Sequence, residues 1–220
     1  ARCLEELGQL DEAIRAYRKF LSQYGVVTPK SGKTATIELV TDSQYRLGLC
    51  QLAKRQPAAA RRTWNDFLAK QNPPADDSDS LAERLASTKY RLAHTYGLPR
   101  PATIGDLELG VALAEQFLKA HPNHELAPKA ELEIAQGFER HRRNVQAIDR
   151  LEGLIANPNY EASKQLADAR RMLGQSYFAQ REFDKAIEAW KEFLDKHPAD
   201  SRWPEVQQSI IGAEYTAALH

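Results

Sequence analysis

A pattern of small and aromatic residues returns along this chain at intervals of roughly forty residues, and a repeat of that length decides an architecture before any single motif does. Its clearest copy reads Leu173, Gly174 and Tyr177, then Phe183, Ala186, Trp190 and Phe193, closing at Pro198. Apolar positions recurring three and four apart, with helix-forming residues between, predict two amphipathic helices joined by a tight turn. Gly174 and Ala186 are small where two helix axes must approach, and a leucine in place of Ala186 is expected to cost about 1–3 kcal/mol by overpacking. Tyr177, Trp190 and Phe193 fill the space between helices, and Pro198 ends the second one.

The same template appears upstream. One copy holds Ile134, Ala135, Phe138, Ala147, Leu151 and Leu154 and closes at Pro158. Another holds Leu92, Ala93 and Tyr96, then Phe117 and Pro122, with extra residues in 97–106. An earlier one shows Leu47, Gly48, Ala60, Trp64 and Phe67, with Pro73 near its end. The first supplies only Gly8, Leu10, Ala13, Tyr17 and Phe20, a turn and a second helix. Ile211, Gly212 and Tyr215 restate the first-helix signature with no second helix after them, so the chain reads as a window on a longer array, the alternative being a capping helix over 205–219. The expected fold is all-α, an α-α superhelix: a right-handed solenoid of about five hairpins (1–24, 42–72, 80–122, 127–158 and 164–198) plus a final helix at 205–219, in a single array over 1–220.

Two insertions interrupt it. Residues 25–41 contain Pro29, Gly32 and a β-leaning stretch from Thr36 to Val40, which predicts a long loop or short hairpin. Residues 97–106 carry Pro99 and Pro101 and are expected to project from the turn edge. Gln71–Ser80, with Pro73, Pro74 and three aspartates, reads as a solvated linker whose last Asp or Ser caps the next helix.

The units resemble the tetratricopeptide repeat: Leu-Gly-x2-Tyr, then Ala-x3-aromatic-x2-Phe, then Pro. The Phe-Leu-x2-His-Pro of Phe117–Pro122 and Phe193–Pro198, with repeat spacings of 37–39 residues, resembles the bacterial subtype of outer-membrane assembly lipoproteins and Tol-Pal-associated periplasmic proteins. That resemblance implies a polypeptide-binding scaffold in a periplasmic or other extracytoplasmic bacterial compartment, as part of a larger bacterial protein. Gly110 in place of the second-helix alanine, and Gln51 in place of the first-helix aromatic, depart from the pattern and predict irregular packing there.

Composition excludes several alternatives. Thirty Lys and Arg balance thirty Asp and Glu, so no overall field draws the chain to nucleic acid or an anionic membrane. No apolar run approaches the roughly 20 residues of a membrane helix. Cys3 and Cys50 show no metal or redox spacing, and both fall two residues beyond the small first-helix position, where burial is expected.

Pro29–Thr34 echoes the end of a phosphate-binding loop, but the required glycine five residues before Gly32 is Val27, and no strand precedes it. His121 and His197 share the slot before a helix-ending proline, where the carbonyl end of a helix favours a partly charged imidazole. His121, His124 and Glu125 lack a fourth ligand and any HExxH spacing. No catalytic residue, metal or cofactor is assigned, and the chain is read as a non-enzyme. Arg140, His141, Arg142, Arg143 and Arg150 form a basic cluster at one turn, diluted by Glu131, Glu133, Glu139 and Asp149.

First helices of stacked hairpins line the inner, concave side of a superhelix. Template position places Tyr45, Leu49, Tyr90, His94, Leu132, Gln136, Arg140, Arg171, Gln175 and Phe178 there, with aromatic and arginine anchors suited to a peptide or protein partner. The equally weighted alternative has Tyr45 and Tyr90 only packing neighbouring helices. The competing function classes are a structural spacer array, which binds nothing in its groove, and a nucleotide-binding enzyme using residues 29–34.

Overall fold

Four of the interhelical turns share one backbone device, and it explains why the hairpins close where they do. Gly8, Arg55, Arg142 and Arg181 each have φ between 56° and 73°, the left-handed region. The next residue's amide reaches back five positions: Gln9 N–H to Leu4 C=O, Gln56 to Gln51, Arg143 to Phe138 and Glu182 to Tyr177, at 2.8–3.0 Å. This is the Schellman closure, which satisfies carbonyls left open at a helix end. The same residue then starts the following helix, because its carbonyl accepts the amide of Ala13, Ala60, Ala147 or Ala186 respectively. The template alanine is thus the first residue of each second helix whose amide is bonded four residues back across the turn.

The computed structural model describes residues 1–24, 34–70 and 80–219. The chain divides into two compact units, residues 1–96 and 97–220. The first contains α1 (Arg2–Glu6), α2 (Leu10–Tyr24), α3 (Thr34–Ala53), α4 (Pro57–Lys70) and α5 (Ser80–His94). The second contains α6 (Ile104–Ala120), α7 (Ala127–Arg140), α8 (Asn144–Ala156), α9 (Gln165–Ala179), α10 (Phe183–Lys196) and α11 (Trp203–Ala218), with a single 3-10 turn at Pro158–Tyr160. No strand occurs among the described residues, and the expected all-α class is the one observed.

Within the first unit α2 packs on α3, α3 on α4, and α5 on both α3 and α4. Within the second, each helix from α6 to α11 packs on the next, and α7 also meets α9. Consecutive contact together with first-helix-to-first-helix contact is how stacked hairpins bury a continuous core. Ala13, Ile14, Tyr17, Leu47 and Cys50 form one such cluster. Ala135, Leu151, Ala186 and Phe193 are wholly buried in the other unit.

Two hairpins are held by the same contact. Trp64 on α4 lies against Gly48 on α3, and Trp190 on α10 lies against Gly174 on α9; a methyl group on either glycine would overlap the indole. In both, the indole N–H donates to the backbone carbonyl three residues before the glycine, Tyr45 or Arg171, at 3.1 Å. The glycine lets the ring in, and the bond satisfies a donor that burial would otherwise strand.

Several expectations need correction. Thr34–Thr41, the second half of the insertion placed at 25–41, is helical and opens α3, although its β-branched residues lean toward strand. Residues 25–33, with most of the Pro29–Thr34 motif, and residues 71–79 of the acidic linker lie outside the described residues. The segment after α5 does not project: Leu98 and Pro101 are buried, and a methyl on Gly137 of α7 would come within 2.9 Å of Leu98 and Leu107. His141 Nε2 lies 3.2 Å from the Pro101 carbonyl, and Thr103 caps α6 by accepting the Asp106 amide at 3.0 Å. The helices of the hairpin expected at 80–122 fall in different units, α5 in the first and α6 in the second.

Candidate functional site

Helices α7 and α9, the first helices of adjacent hairpins in the second unit, carry most of the predicted binding residues. Gln136, Arg140, Arg171 and Gln175 line one open groove of about 540 Å³, together with Arg100, Glu139, Pro99 and Met172. The spacing explains the grouping: Gln136 and Arg140 are one helical turn apart on α7, and Arg171 and Gln175 likewise on α9. Arg100 arrives from the segment before α6, and Gly97, at φ 88°, makes the turn that the Arg100 amide closes on the Gly97 carbonyl at 2.7 Å.

The groove is basic. Three guanidinium groups face one carboxylate, that of Glu139, whose pKa burial raises while Arg171 partly offsets the shift. The Nε of Arg171 is buried and meets no hydrogen-bond acceptor among the described residues. Its own backbone carbonyl accepts from the Trp190 indole, so the hairpin core fixes the residue's position on α9. Gln136 and Gln175 add amides that can both donate and accept.

Phe178 lies elsewhere. It is 38% exposed, stands edge-on to Phe183 at 5.4 Å and tilted to Trp190 at 6.0 Å, and lines a separate groove toward α11. Gln175 borders both grooves. Two predicted contact residues are buried and offer no surface: Leu132 in the second unit and Tyr90 in the first. Tyr90 sits edge-on to the His94 ring at 4.7 Å, and its carbonyl lies 3.3 Å from His94 Nδ1. Tyr45 and Leu49 are half-buried on α3, with the Tyr45 carbonyl accepting from Trp64. Of ten residues predicted to share a face, the structure brings four into one groove.

Arg100 and Glu139 were missed as groove residues. Arg100 sits in a segment expected to project, and Glu139 appeared only as a diluent of the basic cluster. That cluster is itself divided: Arg143 pairs with Glu108 at 3.0 Å, and Arg150 with Glu131 at 3.2 Å and with Glu115, leaving Arg140 in the groove.

The histidines before proline do structural work. The His121 ring lies 5.8 Å from Phe117 and the His197 ring 5.4 Å from Phe193. His124 accepts the Leu126 amide through Nδ1 at 3.1 Å and stacks edge-on to Phe117. Against the expectation of a charged imidazole, burial and the nearby Arg170 push the His197 pKa down, and Arg170 Nη1 lies 3.3 Å from its Nε2. Cys50 is buried and its thiol is pushed up to about 11 by burial, whereas Cys3, expected in the same environment, is exposed because α1 is a single short turn of helix at the start of the unit. Gln51 is buried where an aromatic was expected, and Thr63 donates to its side-chain carbonyl at 2.8 Å.

Helical hairpins with a small first-helix residue, an αL turn and a buried second-helix aromatic define a class, and the comparisons agree with it. A tetratricopeptide-repeat family profile matches residues 1–25, 42–71 and 168–200, which fall on the hairpins α1/α2, α3/α4 and α9/α10. No curated protein matches the sequence. Among solved structures, MamA is 15% identical with a TM-score of 0.62, over 92% of this chain and 90% of that one. YrrB, described as a TPR protein with an unusual peptide-binding site, is 14% identical with a TM-score of 0.57, over 94% and 88%. BtubC (BKLC) from P. vanneervenii is 13% identical with a TM-score of 0.64, over 95% and 84%. Likeness at this identity shows a shared fold. Among the described residues no helix is long and apolar enough to cross a membrane.

Proposed function

We propose that this chain is a protein-interaction module whose α7/α9 groove holds an acidic stretch of a partner polypeptide. The observation that carries the reading is the convergence of Arg100, Arg140 and Arg171 on one open groove that holds a single carboxylate, Glu139. Carboxylates of the partner would accept from these guanidinium groups, charge-assisted bonds of this kind being roughly twice as strong as neutral ones. Gln136 and Gln175 would hold the partner's backbone amides, which is how an extended peptide is gripped independently of its side chains. Repeats of this architecture serve protein interaction, and the peptide-binding site of YrrB supports the same use here. An extracytoplasmic bacterial setting is part of the proposal and rests on the two Phe-Leu-x2-His-Pro segments alone.

Fluorescence anisotropy with a labelled Asp/Glu-rich peptide tests it. Saturable binding, weakened at least about tenfold by Arg140→Glu with Arg171→Glu and by raised salt, is expected. Equal affinity for a Lys-rich peptide, or binding indifferent to the double substitution, would sink the groove assignment and favour the spacer reading.

A further inference from the structure

One part of the α7/α9 groove belongs to neither helix: Pro99 and Arg100, from the segment before α6. The residues on either side of that pair, Leu98 and Pro101, are buried, while Arg100 itself is exposed. What buries them is a notch in α7. Gly137 lacks the side chain that would fill it, and a methyl there would come within 2.9 Å of both Leu98 and Leu107 and 3.9 Å of the Pro101 ring. One turn further on, His141 at the end of α7 brings Nε2 to 3.2 Å from the Pro101 carbonyl, which can only accept. At the upstream end Gly97 takes φ 88°, and a methyl on it would lie 3.2 Å from the Pro101 backbone, so the turn closes tightly on itself. Gln136 and Arg140 precede Gly137 and His141 by one residue each, so adjacent stripes of one helix line the groove and seat the segment.

Resting on the groove reading above, we infer that Gly137 is a positioning residue for the partner: by admitting Leu98 it carries Arg100 into the groove, and the docked segment sets how strongly an acidic stretch is held. Arg140 and Arg171 lie on α7 and α9, whose packing against their neighbours holds them in place, so both remain if the segment is displaced. Arg100 does not, because its backbone is placed by Leu98 and Pro101 on either side of it. Holding that backbone before the partner arrives removes an ordering cost that a loose arginine would add on binding. The charge of the site changes with it. Three guanidinium groups face Glu139 when the segment is docked, and two when it is not. Preference for acidic over neutral segments therefore depends on a buried glycine that touches no partner.

The test is a double-mutant cycle on the intact chain, read by anisotropy with the labelled Asp/Glu-rich peptide. In the parent, Arg100→Gln is expected to weaken binding about fivefold, the effect of one lost hydrogen-bonded contact. Gly137→Leu crowds the notch, and Leu98→Ala loosens the segment without crowding α7. Each is expected to weaken binding by a similar factor and to abolish the effect of Arg100→Gln, while Arg140→Gln still weakens binding in both backgrounds. A glycine needed only for folding would lower affinity without cancelling Arg100. Circular dichroism identifies any variant that has lost its helices, and Leu98→Ala decides alone if Gly137→Leu does not fold. Arg100→Gln without effect in the parent, or with its full effect retained beside Leu98→Ala, overturns the inference and leaves the groove reading standing. A peptide that fails to bind the parent, or binds regardless of Arg140→Glu with Arg171→Glu, overturns the groove reading and this inference with it.

Discussion

Helices α9 and α11 carry one signature and meet opposite fates. Leu173, Gly174 and Tyr177 are buried, Gly174 under the Trp190 indole of α10, whereas Ile211, Gly212 and Tyr215 of the same pattern stand open or exposed. The signature therefore encodes a surface shaped to accept a helix, and burial follows only where a helix with a matching bulky residue arrives. A second contrast refines this. At the template position of Gly174 the α7 helix has Ala135, and at the position of Trp190 the α8 helix has Leu151, both wholly buried. Glycine goes with tryptophan and alanine with leucine, so the volume of the pair is what the hairpins hold roughly constant, as close-packed interiors require.

Substitutions can break that contrast, and the largest effect belongs to the filled groove. Trp190→Ala removes a buried ring and is expected to cost about 3–5 kcal/mol in urea unfolding, while Tyr215→Ala on the bare helix stays within about 0.5 kcal/mol. Next, Gly174→Leu forces a side chain into the indole and is expected to cost about 3 kcal/mol. Gly212→Ala should do the reverse, raising stability by about 1 kcal/mol, because an open mid-helix glycine carries only its entropy penalty. If Gly174 and Gly212 variants shift the urea midpoint alike, the distinction between covered and bare helices is lost.

Smaller effects sharpen the account at the turns. Arg181→Gly relieves a non-glycine residue at φ 63° and is expected to stabilise by about 0.5–1 kcal/mol, read as a rise in Tm, with Gly8→Arg losing a similar amount. The smallest effect is in pH. His197 has a lowered pKa, so the unfolded chain takes its proton first; stability contributed by the neutral ring is present above about pH 6.5 and declines as pH falls through that value. His197→Gln should flatten that slope between pH 7 and 5, with the parent's steeper loss as the reference.

Much of the fold could be read directly from residues. Ala13, Ala60, Ala147 and Ala186, together with Gly48, Gly174, Trp64 and Trp190, located the hairpins because small and large residues at fixed intervals have few other physical readings. The turns were less legible. Gly8 announces an αL position, but Arg55, Arg142 and Arg181 adopt the same conformation with no side-chain reason, since the Schellman bonds that impose it lie wholly in the backbone. Thr36–Val40 read as strand-leaning because β-branched residues disfavour helix only weakly, and helical context overrode the preference.

The binding face was half legible. Gln136, Arg140, Arg171 and Gln175 follow from helical spacing alone, one turn apart on two first helices. Tyr90 and Leu132 obey the same spacing and are buried, because the packing of α5 and α7 against other helices decides their exposure and no periodicity within one helix reports it. Arg100 could not be found by template at all, since it reaches the groove from a segment that folds against Gly137 through Leu98.

The pairing of volumes is tested most directly by grafting one hairpin's solution into another. Gly174→Ala with Trp190→Leu copies the Ala135 and Leu151 pair into α9/α10. The prediction is that the double variant loses clearly less stability than the two single losses summed, with a coupling of about 1–2 kcal/mol in a double-mutant cycle. Strictly additive losses would mean that glycine and indole are stabilised independently, and nesting of small against large would not be what holds these hairpins together.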